Sequence, residues 1–187
     1  MNDPYSRVTN AERFAPLVQF TVDLCSRLEI RYDVERSEKF TASAAVGMQT
    51  FVPLRAPICL TPRASNAAAI MVGFTQFPGL AVRCGYWHSE AFPSCGCDGC
   101  AETAEDECKR VAELVDAVTA GRFYEMIVLP FIRSAHVRWE SSSDFHHRGN
   151  GRAIRRSQAR ELLRGRPRAA AWGPWSVRPG LGAKHDI

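Results

Sequence analysis

Three cysteines fall within six residues, at Cys95, Cys97 and Cys100, and a histidine, His88, lies seven residues ahead of the first. Soft ligands so closely spaced suit a tetrahedral metal site, for which zinc is the usual occupant. Cys-x-Cys-x-x-Cys supplies three thiolates and His88 an imidazole, a Cys₃His set of the closed, structural kind. Local chain chemistry agrees. Pro93 bends the chain back, Gly96 and Gly99 let the backbone wrap a small ion, and Cys100 stands just ahead of a helix start that favours negative sulfur. Structural zinc contributes roughly 10–16 kcal/mol in small peptides, against a whole-domain stability of about 5–15 kcal/mol. One such knot would decide whether this stretch is ordered at all.

Other readings of the same residues differ in what they require. Unligated, three neighbouring surface thiols would oxidise readily. Cys108 and Cys84 compete with His88 as fourth ligand, but Cys108 lies on the apolar face of a helix and Cys84 in mid-strand. Cys97-Asp98-Gly99-Cys100 has the C-x-x-C form of a thiol–disulfide exchange site. Cys95 is then superfluous, and the surroundings lack the parallel βαβ context of such sites. His88-x-Glu90 with Cys97-x-x-Cys100 echoes the zinc deaminases, yet the short interval between His88 and Cys97 leaves no room for the crossover those ligands need. Glu90 thereby has no assigned chemistry. His146-His147 on an extended segment point to opposite faces. No dinucleotide, phosphate-loop or nucleophile-elbow motif occurs.

The chain has 187 residues, enough for one domain with a real core. Seven cysteines cannot all pair internally, and their clustering argues against a disulfide framework. No apolar run approaches the roughly 20 residues of a membrane helix, and the opening Met1-Asn2-Asp3-Pro4-Tyr5-Ser6-Arg7 lacks a signal-peptide pattern. The expected setting is the cytoplasm, with no membrane contact. The net charge of +4 is uneven: residues 148–187 hold ten Lys/Arg against two Asp/Glu, while residues 1–147 are mildly acidic. Such a tail suits nucleic acid or an acidic protein partner, or simply lies on the acidic body. Its arginines lack interleaved aromatic platforms for bases, so nucleic acid is the lesser expectation.

Along the chain, Thr9-Asn10-Ala11-Glu12 has the form of a capping box. Phe14, Leu17, Val18, Leu24, Cys25, Leu28 and Tyr32 follow at helical spacing, interrupted early by Pro16, where the helix either kinks or properly begins. Residues 34–43 read as loop, Val46 to Val52 as a first strand and Ile58-Cys59-Leu60 as a second. Ala68 to Phe74 and Leu80 to Trp87, joined across Pro78-Gly79, read as an antiparallel hairpin. Glu102 to Ala120 is a helix with Cys108, Val111, Leu114, Val115 and Val118 on one face, acids in its first turns and Gly121 as its stop. Ile127 to Leu129 and Ala135 to Phe145 look extended, Arg155 to Arg164 reads as a basic helix, and the remainder as irregular. Trp172 and Trp175 pin the tail to the body through their large apolar area.

The opening Tyr5-Ser6-Arg7-Val8-Thr9-Asn10-Ala11-Glu12-Arg13-Phe14 resembles the start of a bacterial family of uncharacterised proteins. So do Phe77-Pro78-Gly79-Leu80, the Trp87-His88-x-Glu90-Ala91-Phe92-Pro93-x-Cys95-Gly96-Cys97-Asp98-x-Cys100 motif, Ala159 to Leu163, and Trp172-x-Pro174-Trp175. The resemblance spans nearly the whole chain and departs around Phe131 to Gly151. It implies one intact domain and no particular reaction, substrate or partner. The expected protein is a single α+β domain over 1–187, with a body to about 147 and a basic tail from 148. A small, mostly antiparallel sheet packs with an N-terminal and a central helix, and a zinc-knuckle-like loop and basic C-terminal helix complete it. Its expected role is a non-catalytic, zinc-binding interaction or regulatory module holding Zn²⁺ through His88, Cys95, Cys97 and Cys100.

Overall fold

The computed structural model describes residues 3–39, 55–128, 134–140, 146–153, 160 and 163–180, the strands at 134–140 and 146–153 as backbone only. Helix α1 (Ala15–Arg31) begins at the proline that interrupts its pattern: Pro16 sits in the first turn, where its missing N–H costs nothing. Leu17, Thr21, Cys25 and Leu28 form its buried face. Each fully buried Leu or Phe contributes about 1.5–3 kcal/mol by leaving water, so this stripe fixes the helix more firmly than its ends do. The expected capping box does not form. A short 3₁₀ turn, Ala11–Phe14, precedes the helix, and Thr9 gives both its backbone N–H and its hydroxyl to Asp98. A partner 89 residues away wins over the local cap.

Five strands follow chain order in an antiparallel sheet: β1 (Val34–Ser37), β2 (Ile58–Pro62), β3 (Ile70–Thr75), β4 (Gly79–Cys84) and β5 (His88–Phe92). The expected hairpin is β3–β4, with Val72 opposite Val82 and Phe74 opposite Leu80. Residues 34–37, read from sequence as loop, are instead an edge strand: Val34 is buried and Arg36 pairs with Leu60. The strand expected at Val46 to Val52 lies outside the described residues. Helix α2 (Ala104–Thr119) packs on α1, and Leu80, Val82, Cys84, Ile70, Val72 and Phe74 share one core cluster with Leu17, Leu28, Val111, Leu114 and Val118. Thr103 caps α2 by accepting from the Asp106 N–H, and Gly121 ends it in the left-handed region at φ +74°.

A second antiparallel sheet centres on β6 (Phe123–Val128), in the order β8-β7-β6-β9, with β7 (Ser134–Glu140), β8 (His146–Ala153) and β9 (Ala169–Ala171). The tail from 165 was expected to be irregular, but Ala169–Ala171 pairs with Tyr124–Met126. Beyond it the chain is stitched to the body. The Trp172 N–H donates to Phe123 O, that of Trp175 to Thr119 O and that of Arg178 to Arg31 O, while the Trp175 indole donates to Ala68 O at 2.9 Å. Both tryptophans are buried. Most of the basic helix expected over Arg155 to Arg164 lies outside the described residues. No described helix is long and apolar enough to cross a membrane.

Candidate metal centre

The loop between β5 and α2 brings the Cys95, Cys97 and Cys100 sulfurs within 4.8 Å of one another. Cys95 Sγ and Cys97 Sγ are 3.1 Å apart, and the Cys100 N–H donates to Cys97 O at 3.3 Å, a tight turn that folds the third sulfur towards the first two. Cys97 is buried, and Cys95 and Cys100 are half-buried. Hydrogen bonds from the Cys95 and Cys100 sulfurs hold the Cys97 thiol below its ordinary value, and those from Cys95 and Cys97 push that of Cys100 up to about 12. Three sulfurs competing for one negative charge is the electrostatic situation that a divalent cation relieves.

Two sets of contacts hold the loop. On one side, the Arg13 guanidinium donates to Gly96 O (3.1 Å) and Cys97 O (3.0 Å). Asp98 accepts from Thr9 N (2.8 Å), Thr9 Oγ1 (3.1 Å) and Arg7 Nε (3.0 Å), and the Asp98 N–H donates to Arg7 O. The Thr9 amide, with Arg7 beside it, holds the Asp98 carboxyl below its ordinary range. On the other side, Glu102 accepts from Ser94 Oγ (2.7 Å) and Cys95 N (3.0 Å). Glu102 was expected in the first turn of the helix; it stands ahead of the N-cap and ties down the loop instead. Gly96 lies so close to the Phe77 ring that no side chain fits without moving it. This packing against Phe77 is a second reason for glycine there, beside any need to curl around an ion.

His88 does not join the sulfurs. On β5 it pairs with Cys84 and faces inward, packed on Phe123 with ring centroids 5.7 Å apart. Its Nε2 is 3.4 Å from Glu90 Oε2 and is otherwise buried without a hydrogen-bond partner among the described residues. Strand alternation is the cause: His88, Glu90 and Phe92 share one face, where Arg110 from α2 reaches Glu90 and lies over the Phe92 ring. Glu90 in turn pairs with Arg110, whose Nη1 reaches both oxygens of the buried Glu107 at 2.8 and 2.9 Å. Burial opposes ionisation of Glu90, but His88 and Arg110 outweigh it and hold its carboxyl below the ordinary range. Burial leads at Glu107, which is raised despite Arg110. One guanidinium shared by two carboxylates is saturated, so this network joins β5 to α2 and offers no free cation to a substrate.

The remaining cysteines are packing residues, as their positions on apolar runs predicted. Burial pushes the Cys25 thiol up to about 11 and that of Cys84 well above its ordinary value, and it raises Cys59 and Cys108 as well. Sequence reasoning missed Glu125, which is fully buried on β6. One oxygen accepts from Trp87 N and His88 N, both at 2.7 Å, and the other from Tyr86 N (2.8 Å) and the Trp172 indole (3.0 Å). Gly85, at φ +59°, turns the chain so that these successive amides face inward, and its backbone lies against that carboxylate. A signal for this existed: Phe123, Glu125 and Ile127 alternate as the buried face of a strand. Asp98 and Glu102 had no such signal, since their partners lie elsewhere in the chain or in the irregular loop.

No curated protein and no solved structure matches this chain. One family model does, over residues 1–179, and the chain belongs to that family, a family of unknown function (DUF6226).

Proposed function

We propose that this member of DUF6226 is a non-catalytic zinc-binding module, in which Cys95, Cys97 and Cys100 hold a structural Zn²⁺ and the ordered surface around them serves interaction or regulation. The convergence of three sulfurs within 4.8 Å on a clamped loop carries the reading. Thiolates at Zn–S of about 2.3 Å in a tetrahedral shell stand about 3.8 Å apart, a spacing the loop can reach with small side-chain rotations. Zinc is favoured over harder divalent ions because the donors are all sulfur. Bound there, the ion supplies charge neutralisation and fixes the loop between β5 and α2, against which Arg7, Thr9 and Arg13 are hydrogen-bonded.

Purified protein should contain about one zinc per chain, and chelation should lower its melting temperature. Cys97→Ser should reduce both the zinc content and the chelator response. Zinc-free protein that melts unchanged with chelator would overturn the reading. A Cys97–Cys100 disulfide with a defined potential in a reductant titration would replace it with thiol exchange.

A further inference from the structure

If the cysteine loop binds a metal as read above, the described residues supply three of its four donors. Among the described residues, three sulfurs alone lie within mutual reach. Each nearby alternative is committed elsewhere. His88 is packed between Glu90 and Phe123, and Cys84 is enclosed in the core beneath the sheet. Cys108 packs against that core from α2. Asp98 is occupied by Thr9 and Arg7, and Glu102 by Ser94 and the Cys95 amide. Cys95 and Cys100 nonetheless are only half-buried, so the loop that carries the sulfurs lies near the protein surface. Three protein ligands with one outward position is the arrangement of zinc sites that exchange a ligand.

We propose that the fourth coordination position is external and exchangeable, and that it takes a neutral donor: a water that an imidazole nitrogen can displace. Charge selects the donor class. Three thiolates on a divalent cation already carry one net negative charge. Asp98, Glu102, Glu105 and Asp106 lie close along the chain, against Arg7 and Arg13 at the loop and Lys109 beside Glu105. A fourth thiolate would add another negative charge to this surface, whereas an imidazole or water adds none.

Cobalt(II)-substituted full-length protein tests this, because its visible d–d absorption reports the ligand shell. Titration with imidazole should shift the bands saturably with one site per cobalt, with the cobalt retained after gel filtration, and 2-mercaptoethanol at equal concentration should shift them less. His88→Gln should leave the starting spectrum and the imidazole response unchanged, and His88→Asn offers a second variant if the first fails to fold. Retained cobalt with bands that ignore imidazole, or a starting spectrum altered by both His88 variants, would mean a shell closed from within and overturn this inference alone. Bands that respond more strongly to the thiol would overturn the choice of donor. Failure to take up cobalt at all would overturn the metal reading and this inference with it.

Discussion

Replacing Glu125 by Gln changes one atom and should cost the protein a large part of its stability. The carboxylate accepts four hydrogen bonds, two at each oxygen: Trp87 N and His88 N at one, Tyr86 N and Trp172 Nε1 at the other. An amide keeps one oxygen. Whichever way it is turned, its NH₂ faces two N–H donors, which are left buried and unsatisfied. Each costs about 1–3 kcal/mol, and relief from burying a charge offsets part of that sum. A net loss of about 2–4 kcal/mol follows, or roughly 4–16 °C in melting temperature for a chain of this size. Denaturant titration monitored by far-UV circular dichroism measures it. Trp172→Phe removes one of the four donors, so the double variant should lose less than the two single losses added together. A Glu125→Gln loss below about 1 kcal/mol, or strict additivity, would refute the claim that this carboxylate organises the β4–β5 turn and the tail around itself.

The clamp and the ion-pair network give two further tests. Asp98→Ala removes every side-chain contact between the cysteine loop and residues 7–9. It should speed proteolytic cleavage of the N-terminal segment severalfold while shifting the melting temperature by only a few degrees; unchanged cleavage would mean that the Asp98 N–H bond to Arg7 O, the Tyr5 ring against Gly99 and the Arg13 contacts suffice to hold the segment. Glu90 has a folded-state pKa below its unfolded value, so its contribution is present above the ordinary carboxylate value of about 4.3 and is lost as pH falls through the folded one. The stability gap between wild type and Glu90→Gln should therefore be full at neutral pH and close on acidification below that ordinary value. A gap that stays constant in denaturation series at successive pH values would show that Arg110 and His88 do not favour the ionised form.

Much of the scaffold was legible because it rests on local rules. The α1 stripe from Leu17 to Leu28, the Pro16 start, the hairpin across Pro78-Gly79, the α2 face and the Gly121 stop each follow from spacing and backbone preference within one or two turns of chain. The three-cysteine cluster was legible for the same reason, since short sequence separation confines its sulfurs to one neighbourhood. Whatever depended on distant partners was not. Thr9 abandons its own helix for Asp98, and Glu102 leaves α2 for the cysteine loop. His88, adjacent in sequence to the metal motif, is carried away from it by the alternation of β5 and delivered to Glu90. The polar strand β1 forms because Leu60 and its neighbours offer it an edge, and β9 because β6 does. Sequence by itself determined the buried apolar faces of α1, α2 and the β3–β4 hairpin, and that three sulfurs would meet. Only tertiary structure decided where the buried charge of Glu125 would find partners, because a desolvated carboxylate is stable only where several donors converge on it, here from the β4–β5 turn and the tail.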